Sequence, residues 1–408
     1  MFKVSKVTLK NFSYLTNAHI LILIIGVITS AIWTRYTTVE IYGKYQLVMS
    51  FISIVAVLSI PGFSMSAQLS AAKEKHGNLE ILFKKKIYIS FISTVILVGI
   101  GLYYQIFKND EEIAYMLYIV SFIYPFYNLR SIWESWLTAI GEYKKLSIIQ
   151  INYALIGLLS LVISLIIIEN IYLVILITFS SVAVANVFII KYFQKRIVNN
   201  TKDDELINYG YKLSWAMIIP VVMSFDKLII SEYLTIEDVA IYSIAMLFPS
   251  YVKTLYSIIS RIITPSISSA NSIKEAWKYL KPKLLKISIL FFIIGVAGFF
   301  TIEYLIHILY TDKYSESAIY AKWLWLFITL GTPVTYLADI LRAQQKLSFS
   351  YYFEAFNSLG KVSLLLVLLP IYQLWGAVYG VFIMNILSTL FFVLYFRYEY
   401  SKELTNAI

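Results

Sequence analysis

The chain has 408 residues, of which 59% are hydrophobic and 14% charged, and its mean hydropathy is +0.74. Those values exclude an ordinary soluble globular protein, in which about a quarter of residues are charged. The absence of cysteine excludes disulfide and thiol chemistry. The net charge of +10 calls for no nucleic-acid partner, because basic residues beside membrane spans account for it.

Apolar segments of about 20 residues, each long enough to cross a roughly 30 Å hydrocarbon core as an α-helix, recur from end to end. In chain order, the predicted helices cover roughly 17–35, 42–65, 86–106, 113–138, 146–168, 171–193, 211–231, 239–263, 284–306, 318–340, 348–370 and 373–396. The first has a counterpart in the second half of the chain, so it reads as a span rather than a signal peptide.

Lysine and arginine gather in alternate gaps. Lys3, Lys6 and Lys10 precede the first helix; Lys73, Lys75 and Lys84–Lys86 lie between the second and third; Lys144 and Lys145 precede the fifth. Lys191, Lys195, Arg196, Lys202 and Lys212 separate the sixth and seventh, and Lys274, Lys278, Lys281, Lys283 and Lys286 the eighth and ninth. Arg342, Lys346, Arg397 and Lys402 complete the set, whereas the opposite gaps hold Arg35, Lys44, Lys108, Lys313 and Lys322. The positive-inside rule then predicts an even number of spans with both termini cytoplasmic.

Residues 36–51 (YTTVEIYGKYQLVMSF) echo residues 233–248 (YLTIEDVAIYSIAMLF), with Tyr36/Tyr233, Thr38/Thr235, Glu40/Glu237, Tyr45/Tyr242, Met49/Met246 and Phe51/Phe248 identical. Each block leads into the second helix of a six-helix half. The expected fold class is all-α integral membrane, with 12 transmembrane helices in two six-helix lobes. A parallel pseudo-twofold repeat relates residues 1–204 to 205–408, joined by the polar stretch 199–205. Parallel repeats of this kind are a transporter architecture.

Ionisable groups at helix centres cost roughly 2.5–3.5 kcal/mol each and mark cavities or partners. Arg130, Lys227, Lys253, Arg261 and Lys361 are the cations within spans; Glu134, Asp226 and Glu354 are the acids. Ser250, Lys253, Thr254, Ser257 and Arg261 share one helical face, and so do Glu354, Asn357, Ser358 and Lys361. Arg130 and Glu134 stand four apart, a spacing that permits an intrahelical pair. Pro61, Pro220 and Pro249 are expected to kink their helices.

The segments Tyr42-Gly43-Lys44-Tyr45, Asp226-Lys227, Ala240-Ile241-Tyr242-Ser243 and Trp136–Tyr143, with Pro265 closing the eighth helix, resemble the Wzx-type O-antigen and polysaccharide flippases of the multidrug/oligosaccharidyl-lipid/polysaccharide exporter superfamily. Ala240 departs from the glycine usual there. The resemblance implies twelve helices around a central cavity and movement of an undecaprenyl-pyrophosphate-linked oligosaccharide across the bacterial inner membrane. It also implies membrane lipids and polysaccharide assembly proteins as partners. A pyrophosphate head group needs basic groups in its path. Lys227, Lys253, Lys361, Arg130 and Arg261 are therefore the expected substrate-binding residues, and Asp226 and Glu354 the candidates for coupling to H⁺ or Na⁺. A cation-coupled multidrug exporter of the same superfamily and an integral-membrane polysaccharide polymerase are the alternatives. No phosphate-binding G-x-x-x-x-G-K-[ST] motif or H-E-x-x-H motif occurs, so no enzyme activity, cofactor or metal is expected.

Overall fold

The computed structural model describes residues 6–195, 199–218, 221, 224–270, 272–344 and 346–406, and among them every regular element is helical. Among the described residues ten helical stretches are long and apolar enough to cross a membrane, and they coincide with ten of the predicted spans.

The other two predicted spans are interrupted. In place of 113–138 the chain forms α5 (Glu111–Tyr127) and α6 (Arg130–Ala139), parted at Asn128 and Leu129. In place of 211–231 it forms α9 (Asp204–Ala216) and α10 (Asp226–Tyr233). The first break falls at Asn128, whose side chain donates to Tyr124 OH of α5, and the second ends at Asp226.

The described chain groups into two units, Met1–Thr37 with Leu47–Val221 and Thr38–Gln46 with Val222–Ile408. The first unit contains α1 (Lys6–Tyr36), most of α2 (Val39–Val55), α3 (Phe63–Ala72), α4 (Asn78–Ile106), α5, α6, α7 (Tyr143–Ile167), α8 (Ile171–Gln194) and α9. α2 stops at a 3-10 turn, Ala56–Ser59, because Ile60 takes a left-handed φ of 52° ahead of Pro61. Asp110 caps α5 by accepting from the Ile113 amide, and Asn170 caps α8 by accepting from Tyr172 and Leu173. Pairs α4 with α5, α5 with α8, α7 with α8, α1 with α7 and α3 with α6 make the body of the unit.

α9 is held within the first unit. Gly62 and Gly210 let α3 and α9 approach so closely that a Cβ at either would collide. Ser66 Oγ donates to the Leu206 carbonyl at 2.7 Å, and the Gly62 amide donates to Ser214 Oγ at 2.9 Å.

The second unit contains α10, α11 (Ile236–Ser268), α12 (Ile273–Leu309), α13 (Ser315–Gly331), α14 (Thr335–Ala343), α15 (Leu347–Tyr372) and α16 (Leu374–Asn406). α13 and α14 are parted by a 3-10 turn at Thr332–Val334, where Pro333 supplies no amide. α11 continues through Pro249 as one helix; Pro220 lies outside the described residues. The start of α2 joins this unit because Gly43 abuts the Ile236 carbonyl at the start of α11. Packed pairs are α12 with α13, α13 with α16, α15 with α16, α10 with α15 and α11 with α13.

Large apolar side chains such as Tyr88, Val95, Phe292 and Ile293 point outward, while Ser59, Ser66, Ser70, Ser90 and Ser93 are fully buried. In lipid the outward surface has no reason to be polar, and small hydroxyl residues let helices approach closely.

Candidate functional site

In the second unit the chemistry starts where α10 begins. Asp226 is its first residue, and a carboxylate there faces unpaired helix amides. Oδ1 accepts from the Lys227 amide at 2.9 Å; Oδ2 accepts from Lys361 Nζ of α15 at 2.9 Å and from Tyr242 OH of α11 at 3.2 Å. The Asp226–Lys361 pair is well shielded, with side chains 15% and 18% exposed. The Lys227 side chain points elsewhere, donating to the neutral Gln46 amide oxygen at 2.7 Å. One carboxylate thus ties three helices together, and the neighbouring lysine has an uncharged partner.

A cavity of about 510 Å³ opens in the same unit between α11, α13, α14, α15 and α16. Lys253, Arg342 and Glu354 supply its charged groups; Asn357, Asn385, Ser388, Thr389 and Thr335 its neutral polar groups; Phe353 and Phe392 its aromatic faces. Arg342 lies 3.7 Å from Glu354 and 3.8 Å from Asp339. Asp339 is fixed in turn by Tyr256 OH at 2.6 Å and Ser260 Oγ at 2.9 Å. Among the described residues Lys253 makes no ion pair or hydrogen bond.

In the first unit, the break between α5 and α6 is closed by Asn186 of α8. Its Nδ2 donates to the freed carbonyls of Phe126 (3.2 Å) and Tyr127 (2.9 Å), and its Oδ1 accepts from Trp133 Nε1 at 3.0 Å. A buried backbone break without such partners would leave unsatisfied carbonyls in hydrocarbon. Just beyond, Arg130 Nε donates to Glu134 at 2.7 Å, Gln150 Nε2 donates to the same oxygen at 2.9 Å, and the guanidinium lies 5.0 Å from the Tyr153 ring centre. Arg130 is therefore paired along its own helix, as its four-residue spacing permits.

Of the expected site residues, Lys227, Lys361 and Asp226 gather at the α10 break, Lys253 and Glu354 line the cavity, and Arg130 lies in the other unit. The Arg261 side chain falls outside the described residues. The helical face shared by Glu354 and Lys361 does not make them partners: Glu354 meets Arg342, and Lys361 meets Asp226. Sequence reasoning also missed Lys86. Grouped with the lysines between the second and third helices, it is 2% exposed on α4, its Nζ donating to Ser131 Oγ at 2.8 Å. Its signal was present: Leu79, Leu82, Phe83, Lys86, Ser90, Ser93 and Leu97 form one buried stripe at helical spacing.

A polytopic α-helical membrane protein with polar helix breaks and embedded lysines is thereby defined, and its fold resembles those of solved transporters of the MOP superfamily. The lipid II flippase MurJ, in an inward closed conformation, superposes with a TM-score of 0.71 at 14% identity, covering 95% of this chain and 87% of that one. An inward-facing multidrug resistance MATE family transporter gives 0.69 at 13% identity, covering 97% and 96%. A MOP superfamily transporter from Pyrococcus furiosus, described as having a binding pocket of reverse polarity, gives 0.66 at 13% identity, covering 97% and 99%. No curated protein sequence matches the chain. The model of the family described as polysaccharide biosynthesis protein matches residues 32–319, and the chain belongs to that family.

Proposed function

We propose that the protein is a flippase moving an undecaprenyl-pyrophosphate-linked oligosaccharide from the cytoplasmic to the periplasmic leaflet of the bacterial inner membrane, for O-antigen or related surface polysaccharide assembly. The observation that carries this reading is the charge balance of the second unit. After Asp226 takes Lys361, Lys227 has only a neutral amide partner and Lys253 has no ion pair among the described residues. Embedded lysines whose ammonium groups make no direct ion pair suit a phosphate-bearing cargo and repel the cationic drugs a multidrug exporter would carry. An inside-negative potential also favours outward movement of anions, by roughly 2.3 kcal/mol per charge per 100 mV.

In this reading the two interrupted segments complete twelve crossings in two six-helix lobes, with both termini cytoplasmic. The order of packed pairs supports a parallel repeat: α4–α5, α5–α8 and α7–α8 in the first unit correspond to α12–α13, α13–α16 and α15–α16 in the second. Lys227, Lys253, Lys361, Arg130 and Arg261 serve the head group. Asp226 and Glu354 are the groups available for coupling to H⁺ or Na⁺.

The test is a deletion strain scored for two phenotypes. Loss of long surface polysaccharide, with lipid-linked repeat units trapped in the inner leaflet and drug tolerance unchanged, is expected. Normal polysaccharide with hypersensitivity to cationic dyes would replace the flippase by a drug exporter.

A further inference from the structure

We propose that the cavity within the second unit is a saccharide subsite that takes one sugar residue bearing a single negative charge. The proposal rests on the flippase reading and specifies which part of the cargo this chamber holds. Its volume of about 510 Å³ lies within the roughly 300–1,000 Å³ of small-molecule sites.

The lining matches a pyranose. Asn357, Asn385, Ser388 and Thr389 offer both donors and acceptors, as sugar hydroxyls require. Phe353 and Phe392 stack at 4.4 Å between ring centres, giving an apolar wall for the C–H face of a sugar ring. Asn385 Nδ2 is buried without a hydrogen-bond partner among the described residues, although its residue lines the chamber. An unmade hydrogen bond from a buried amide is costly, and a ligand hydroxyl brought to it would offset that cost.

The charges set the ligand's sign. The Arg342 guanidinium stands between Asp339 and Glu354, so its charge is already countered within the wall. Lys253 stands apart from that cluster: its side chain is exposed on the chamber wall and makes no ion pair among the described residues. Arg342 with its two carboxylates forms the acidic end of the wall and Lys253 its separate cationic end, which is where an anionic substituent on the sugar would sit. That substituent is either the phosphate on the reducing sugar of a lipid-linked unit or the carboxylate of an acidic sugar.

Binding to the purified full-length chain in lipid nanodiscs separates these sources. The probes are N-acetylglucosamine 1-phosphate, glucuronic acid, neutral N-acetylglucosamine and inorganic phosphate, each titrated by calorimetry. An anionic saccharide is expected to bind at least tenfold more tightly than either the neutral sugar or phosphate alone, and the tighter of the two anionic probes names the source. Lys253→Met should abolish the preference for the anionic probe over the neutral sugar. Asn385→Ala should weaken both by about tenfold while the Lys253 preference persists. Equal binding of inorganic phosphate and sugar phosphate, or unchanged binding in both variants, would overturn the subsite. In cells, full surface polysaccharide from both variants with none from the deletion strain would overturn the subsite and leave the flippase reading standing. Full polysaccharide from the deletion strain would overturn the flippase reading on which the proposal depends.

Discussion

Lys361 on α15 reaches Asp226 at the start of α10 across 2.9 Å, while Lys227, the next residue in sequence to that aspartate, bonds Gln46 instead. Chain neighbours on a helix point about 100° apart, so one carboxylate cannot serve both lysines with its side-chain oxygens in the same direction. The arrangement separates a lysine paired with a carboxylate from one bonded to a neutral amide.

The shielded pair predicts strong non-additivity. Asp226→Asn or Lys361→Met alone should destabilise the purified protein by roughly 3–5 kcal/mol, because each leaves a buried charge uncompensated. The double variant should recover most of that loss. Thermal unfolding in detergent reads both; additive losses would show that the pair is not coupled.

Lys227→Ala is expected to lower surface polysaccharide severely while the protein stays in the membrane at wild-type level. Lys227→Arg should restore part of it, since the charge is what a phosphate reads. Immunoblots of membranes alongside polysaccharide gels settle the matter, and full polysaccharide in Lys227→Ala would remove this residue from the cargo path.

Lys86 has the opposite expectation. Its ammonium is buried against a single hydroxyl, so Lys86→Met exchanges a costly polar group for an apolar chain of similar length. Stability should be unchanged or higher, whereas Lys86→Glu should prevent accumulation of folded protein. A Lys86→Met variant that melts well below wild type would mean that the bond to Ser131 is net stabilising.

Orientation is testable without any assumption about cargo. Reporter fusions after His76, Asn200 and Ser272 should report cytoplasm, and fusions after Asn109, Thr235 and Tyr314 should report periplasm. A clean reversal at any of these sites would break the proposed crossing count.

Hydropathy made ten spans legible because each is a long apolar helical stretch, even where a 3-10 turn interrupts it at Thr332–Val334, and lipid imposes that length directly. It missed the two breaks because a window average does not register that Asp226 takes its partner from another helix, or that Asn186 of another helix takes up the carbonyls freed beside Asn128. Asn186, which closes the first break, lies 59 residues from Tyr127 and has no local pattern to announce it. The lysines of the site were legible as types, since charge within a span is rare. Their partners were not: helical spacing joined Glu354 to Lys361, whereas packing gave each a different mate. Lys86 was hidden by its basic neighbours, although the buried stripe on α4 passes through it.

The spacing of Asp226 and Lys361 also has a meaning in time. The aspartate leaves the ribosome 135 residues before its lysine. At synthesis rates of about 5–20 residues per second, roughly 7–27 s separate the two. During that interval α10, only eight residues long, carries a carboxylate toward the bilayer with no cation from α15 to meet it. Membrane insertion of this segment is therefore completed by a helix made much later, and a nascent chain truncated before residue 361 should be a substrate for membrane quality control rather than a smaller working protein.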